Sequence, residues 1–463
     1  MPAATSPIAY PRPNILLITD DQHRWDFFDD RFVPSLRTPA LDRLRREGAV
    51  LANTVTNCPI CIPTRFTWVH GLYASQAAAS LTANRHDWPT DLPTMPQALQ
   101  RAGYHTALVG KLHSREGLRA IDLLDEEPVT RARGFHDVCE VSGKELAAWY
   151  DCRWTAHLRA IGALERYRAE VRESCWAFGG TERGVPTFLA EADSVDGFIG
   201  AHARQWLADY DGQEPFFLHA SFCGPHNPYD PVRAYAELYD PAAMPAPPGV
   251  TDPAAIRHWQ RMTALYCGLI TQIDTETGRL LDLLDARGWA ANTLVVFATD
   301  HGDMMGHHNR GTKGPPYDTS IRTPYLLRWP GVIPAGRTLE EMVEAVDLPA
   351  TLLHAAGLGD DPRAHLPQSP GRSVLDYAVG RRAAHRPWAF SEFCVQEAHG
   401  WRLVRERDWK YVRHADGDLL FDLREDPWEF VNRIDDPTQA PRVSRMRGQL
   451  IDALAAAPDR GNA

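Results

Sequence analysis

Short continuous apolar runs alternate with amphipathic stretches along most of the chain. Asn14-Ile-Leu-Leu-Ile-Thr19 is apolar at every second and every first position alike, which predicts a strand covered on both faces. The run stops at Asp20-Asp21. From Thr38 to Gly48 the chain offers a capping threonine, a proline at the first helical position and a glycine at the stop, so a helix is predicted there. A second cycle follows, with a helix near Met95–Ala102 and a strand over Tyr104–Val109 that runs into Gly110-Lys111-Leu112-His113. Pro215–Phe222 reads as a strand and Pro253–Leu284 as a long helix. Thr293–Thr299 reads as another apolar strand, ending in Asp300. Strands alternating with helices predict an α/β fold, with a mostly parallel sheet and helices on both faces.

Two regions break the rhythm. Asp122–Val185 is rich in Arg, Glu, Trp and Cys and is expected to be an irregular insertion over the sheet that shapes a pocket. Its tryptophans, Trp149, Trp154 and Trp176, hint at an apolar or ring-bearing group there. Asp240–Pro253 is proline-rich and reads as a loop. After Pro387 the runs Gly400–Arg405, Trp409–Arg413 and Asp418–Leu423 are short and strand-like, and a helix is predicted near Arg442–Ala456. The division expected is a catalytic domain over 1–385 and a subdomain over 386–463, built as a small antiparallel sheet with a helix.

Composition narrows the function. The 463 residues carry a net charge of −11, which repels nucleic-acid phosphates and argues against a nucleic-acid partner. An anionic substrate then requires a local positive pocket. Eight cysteines in no regular framework favour reduced thiols and a cytoplasmic location over a disulfide scaffold. No apolar run of about 18 residues is present, so a membrane span is not expected. Met1–Pro13 lacks the apolar core of a signal peptide. Homo-oligomerisation is left open.

The chemistry concentrates at strand ends. Ligands of open α/β sheets bind beyond the carboxyl ends of the strands, and two of the most apolar strands here end in Asp20-Asp21 and Asp300-His301. One Asp in such a place is commonly a turn residue. Three carboxylates and an imidazole together suit a divalent cation, with the nitrogen leaving room for Mn²⁺ or Zn²⁺. Cys61-Ile62-Pro63-Thr64-Arg65 is the sharpest element. Pro63 can start a helix, which would set Cys61 at a helix N-terminus where an anion is favoured. Cys58 and Cys61 could instead form a redox or zinc pair, but no second pair and no thioredoxin-sized core accompany them.

Cys61-x-Pro63-x-Arg65, with Gly71 six residues on, resembles the sulfatase signature of the alkaline-phosphatase superfamily. Further elements match in order: Asn14–Asp21, Gly110-Lys111-Leu112-His113, Pro225-His226-Asn227-Pro228-Tyr229, Thr299–Asp303, Lys313, Trp409-Lys410-Tyr411-Val412 and Leu419–Pro427. The resemblance implies an alkaline-phosphatase-like large mixed sheet. It also implies a formylglycine made from Cys61 by a formylglycine-generating enzyme, and one divalent metal ion, Ca²⁺ first and Mn²⁺ next. Asp20, Asp21, Asp300 and His301 would hold the ion together with residue 61. Arg65 and Lys111 would stabilise charge on the nucleophile, His226 and Lys313 would serve the departing alcohol, and His113 would be the base that releases sulfate. The expected substrate is a small anionic sulfate ester, carrying an aryl, alkyl or sugar group.

Two positions depart from the commonest pattern. Thr64 stands in place of serine. His301 stands where many arylsulfatases carry asparagine, as in the phosphonate monoester and phosphodiester hydrolases of the superfamily. A phosphonate or phosphodiester hydrolase with the same nucleophile is therefore the second reading. An inactive binding protein on this fold is the third, and a phosphatase or mutase relative with an unmodified nucleophile is the fourth. His307-His308 is expected to be a solvated loop pair, with His308 facing substrate.

Overall fold

A computed structural model of the protein describes residues 10–28, 31–115, 121–174 and 184–457. The larger sheet has eight strands: β1 (Asn14–Asp21), β2 (Ala49–Val55), β3 (His105–Gly110), β4 (Asp137–Glu140), β5 (Phe216–Pro225), β6 (Thr293–Thr299), β7 (Tyr325–Arg328) and β8 (Arg337–Glu344). Their order is β4-β3-β5-β1-β6-β7-β2-β8. The five strands from β4 to β6 run parallel, and β7 is antiparallel to both its neighbours, so the sheet is mixed but mostly parallel. The smaller sheet is antiparallel, in the order β12-β11-β10-β9, from β9 (Ala389–Phe393), β10 (Trp401–Arg405), β11 (Trp409–His414) and β12 (Leu419–Asp422).

The doubly apolar strands do what their pattern requires. Ile15 and Leu17 of β1 enter one core, while Leu16 and Ile18 enter the core on the other face. Leu294 and Val296 of β6 join the first, Val295 and Phe297 the second. Helices Cys61–His70, Met95–Arg101 and Asp347–Ala355 cover one face, and helices Pro39–Glu47, Val195–Asp209 and Pro253–Ala286 cover the other.

The region 122–185 corrects the expectation of an irregular insertion. It holds helices Leu123–Ala132, Arg153–Ala160 and Leu164–Ser174, and it supplies β4, the edge of the large sheet. Trp154 is fully buried, its indole N–H donating to the Asp193 carbonyl at 2.9 Å, and Trp149 packs against the same core. Trp154 fills the interior and Trp149 lies half-buried against it; Trp176 lies outside the described residues. The charged positions that hid the helices are their outward faces.

The small sheet is covered on one face by helix Ala440–Ala456, through Val443, Met446 and Leu450. Its other face, including Leu403 and Val412, packs on Val55, Ile321 and Met342 of the larger unit.

Candidate active site

The switch between neighbours in the sheet places the chemistry. β1 lies between β5 and β6, with Asp20 registered against Thr299. The carboxyl ends of β1 and β6 therefore deliver Asp20, Asp21, Asp300 and His301 to one edge. Helix Cys61–His70 is buried along its whole length and begins at Cys61, after Ile60 in extended conformation. Cys61 Sγ lies 3.1 Å from His301 Nε2 and 3.5 Å from Asp21 Oδ1.

Donor atoms of Asp21, Cys61, Asp300 and His301 all fall within 4.8 Å of one another. Asp20 stands beside this group: its Oδ2 meets His23 Nδ1 at 2.6 Å, while its buried Oδ1 has no hydrogen-bond partner among the described residues. A buried carboxylate oxygen without a partner is costly. Three carboxylates, one orphaned oxygen and an imidazole fit a divalent cation. Burial, with Lys313 adding to it, pushes His301 down to about 4, so its ring is neutral as a metal ligand must be. Burial and then Asp21 push the Cys61 thiol up to about 11, so the unmodified side chain is a protonated thiol at neutral pH.

Cations surround the group. Arg65 Nε donates to Asp300 Oδ2 at 2.9 Å and Nη2 to Asp21 Oδ2 at 3.2 Å. Arg65 Nη1 is fixed by the Lys111 carbonyl at 2.7 Å and Ser221 Oγ at 2.9 Å. Lys111 Nζ donates to Asp21 Oδ2 at 2.6 Å. Burial opposes charge on Asp21, but Lys111 foremost, then His226 and Arg65, hold its carboxyl well below the usual range. Lys313 Nζ meets His226 Nε2 at 2.6 Å. His113 adopts a left-handed backbone (φ 60°), and its buried Nδ1 has no partner among the described residues. Burial, then Lys111 and Arg65, depress its basicity.

All ten residues singled out from sequence thus meet in one region, with Asp21, Asp300 and His301 around Cys61 Sγ, Asp20 beside them, and cations and imidazoles around the rim. Gln22 was missed. It is buried in left-handed conformation (φ 71°), and its backbone N–H donates to Asp300 Oδ1 at 3.0 Å. Its Oε1 accepts from Lys313 Nζ at 2.6 Å, and its Nε2 donates to Asp303 Oδ2 at 2.5 Å. Its place directly after the acid pair was the one available signal. His307 and His308 are also corrected. His307 is buried, bonded to Thr319 Oγ1 and the Trp428 carbonyl, and His308 stacks on Tyr317 with ring centres 3.9 Å apart. Aromatic packing, not solvent, holds the pair.

Comparison with known proteins bears on the family and the fold. The family profile described as "Sulfatase" matches residues 13–358, and one described as "N-sulphoglucosamine sulphohydrolase, C-terminal" matches 306–456. The chain is 27% identical to an arylsulfatase of Clostridium perfringens, over 96% of this chain and 94% of that one. It is 30% identical to the multifunctional alkaline phosphatase superfamily protein PehA of Trinickia caryophylli, over 93% of each. The crystal structure of a phosphonate monoester hydrolase of Agrobacterium radiobacter shares the fold, with a TM-score of 0.78, 23% identity and 97% coverage of each chain.

Proposed function

The chain belongs to the sulfatase family of hydrolases, and from that premise we propose that it hydrolyses sulfate monoesters with a formylglycine made from Cys61. The observation that carries this reading is the seat of Cys61 Sγ, at the head of a buried helix and against His301 and Asp21. Asp20, Asp21, Asp300 and His301 would hold one divalent ion, Ca²⁺ being the first candidate from the carboxylates and Mn²⁺ the second from the imidazole. When bound, that ion supplies Lewis-acid polarisation and offsets the charge of the ester oxygens.

The chain's own residues do the rest. The hydrated aldehyde at position 61 offers two hydroxyls. One would lose its proton and attack sulfur as the ester S–O bond breaks and the alcohol takes up a proton; the second, deprotonated by His113, would reform the carbonyl as the C–O bond to the sulfate group breaks. Arg65 and Lys111, bonded to Asp21 beside residue 61, would balance negative charge developing there. His226 and Lys313, in contact at 2.6 Å, hold a proton for the departing alcohol, a step worth about 10²- to 10⁴-fold in rate. Maturation by a formylglycine-generating enzyme and a reducing cytoplasm belong to the same reading; Cys58, Cys139, Cys152, Cys223, Cys267 and Cys394 are free thiols beside Cys61. No helix among the described residues is long and apolar enough to cross a membrane.

A phosphonate monoester or phosphodiester substrate is the second reading, favoured by His301 and by the likeness, at 25% identity and a TM-score of 0.77, to a phosphonate monoester hydrolase of Silicibacter pomeroyi. One experiment addresses both. Protein co-produced with the maturation enzyme is digested, and the peptide containing residue 61 is weighed. Turnover is then followed on 4-nitrophenyl sulfate and on a phenyl phosphonate ester. The expected peptide has lost sulfur and two hydrogens and gained one oxygen, and sulfate is the better substrate. An intact thiol in protein that turns over either ester would sink the proposal, and a preference for phosphonate would establish the second reading.

A further inference from the structure

The loop joining β9 to β10 carries a second set of donor groups, away from the acid cluster. Two turns fold it: Glu397 N–H donates to the Cys394 carbonyl at 2.8 Å and Gly400 N–H to the Glu397 carbonyl at 2.9 Å. Cys394 itself takes a left-handed backbone (φ 46°), and its N–H is tied to the Thr82 carbonyl at 3.1 Å. These constraints bring donor atoms of Cys394, Glu397 and His399 within 4.8 Å of one another.

Cys394 is only 5% exposed. His399 Nε2 lies 3.2 Å from Glu397 Oε2. That is close to the edge, roughly 3.3 Å, of a tetrahedron whose N and O ligands stand about 2.0 Å from zinc. The other carboxylate oxygen, Oε1, faces Arg85 Nη1 at 2.7 Å, so one oxygen remains for a ligand while the other is held in place.

We propose that Cys394, Glu397 and His399 form a zinc site in a Cys-x-x-Glu-x-His arrangement, with water as the fourth ligand. A thiolate, an imidazole and one carboxylate oxygen suit Zn²⁺, whereas Ca²⁺ and Mg²⁺ demand an oxygen shell. Binding exchanges the thiol proton for the metal and releases it to solvent, with no change of oxidation state. His399 also lines a cavity of about 640 Å³ shared with Phe393, Trp401 and Lys313. The bound ion therefore braces the wall of a cavity that Lys313 also reaches. The site does not depend on the sulfatase chemistry proposed for Cys61.

Cobalt(II) titration of full-length Cys61→Ala protein tests this, because that background removes the thiol facing the acid cluster. Co²⁺ titrated past two equivalents, enough to fill the acid cluster as well, should produce a thiolate charge-transfer band, displaced by Zn²⁺. The band should vanish in Cys61→Ala/Cys394→Ser. His399 is 62% exposed, so His399→Ala should fold normally while weakening Zn²⁺ binding by more than about tenfold. No thiolate band in the parent, a band that survives loss of Cys394, or unchanged affinity in His399→Ala would each overturn the assignment.

Discussion

At the scale of single residues, the proposed mechanism turns on what position 61 could do once it had taken up a sulfuryl group. A serine there has one hydroxyl and no route back to a carbonyl. Cys61→Ser is expected to release one equivalent of alcohol and then stall as a covalent sulfate ester, visible by intact mass; sustained turnover by that variant would refute the two-hydroxyl scheme. Gln22 acts through its neighbours. Its Oε1 holds Lys313 and its backbone N–H holds Asp300, so it links the acid cluster to the Lys313–His226 pair. Gln22→Ala should lower kcat by roughly 10- to 100-fold and displace a limb of the pH–rate profile, with a smaller change in KM. An unchanged pH profile would reduce Gln22 to a packing residue. The ten proposed site residues could be singled out, and found gathered in one region, because they sit in ordered motifs with rare residue types. Gln22 could not be, since a polar side chain after a strand becomes informative only when its partners, far off in sequence, are in place.

At the scale of elements, the motif Trp409-Lys410-Tyr411-Val412 has a structural meaning that its pattern does not reveal. Lys410 is fully buried in β11, and its Nζ donates to Asp318 Oδ1 at 2.9 Å and also pairs with Glu429. Arg405 of β10 donates to the same Asp318 at 2.7 Å. Burial opposes charge on Asp318, but Arg405 and Lys410 hold its carboxyl well below the usual range. This knot ties the small sheet to the short helix Asp318–Ile321 that follows Lys313. Removing one partner leaves buried charge uncompensated, so Lys410→Met should cost about 3 kcal/mol in urea unfolding. A change within about 0.5 kcal/mol, the range of ordinary surface substitutions, would show that Arg405 alone satisfies Asp318. Strands β2, β7 and β8 escaped prediction for a related reason: β8 reads Arg-Thr-Leu-Glu-Glu-Met-Val-Glu, with exposed and buried positions in no strict alternation, and only its neighbour β2 makes it a strand.

At the scale of the whole molecule, buried carboxyls set opposing pH dependences. Glu140, at the end of β4, accepts from Thr130 Oγ1 at 2.7 Å, and burial raises its carboxyl to about 7. The folded state then binds a proton that the unfolded state has released, so stability falls as pH rises from the unfolded value toward 7. Asp318 works the other way: its depressed carboxyl contributes stability above the unfolded value of about 3.9 and loses it as pH falls below that. Glu140→Gln should flatten the first slope, gaining of the order of 3 kcal/mol relative to the parent between pH 4.5 and pH 8. Urea unfolding at several pH values measures it, and parallel curves for parent and variant would mean that Glu140 is ionised in the folded protein.

Local pattern and motif order were enough to establish the α/β class, the strands that end in acids, the helix headed by Cys61 and the family resemblance, because each is written in neighbouring residues with a period or a spacing of its own. Folding alone decided the rest. The mixed sheet order, the helices hidden in 122–185, the burial of His307 and Trp154, the bridge made by Gln22 and the knot at Asp318 all join residues far apart in the chain. Such pairings are selected by shared burial and by mutual neutralisation of charge, and neither exists until the two partners are brought together.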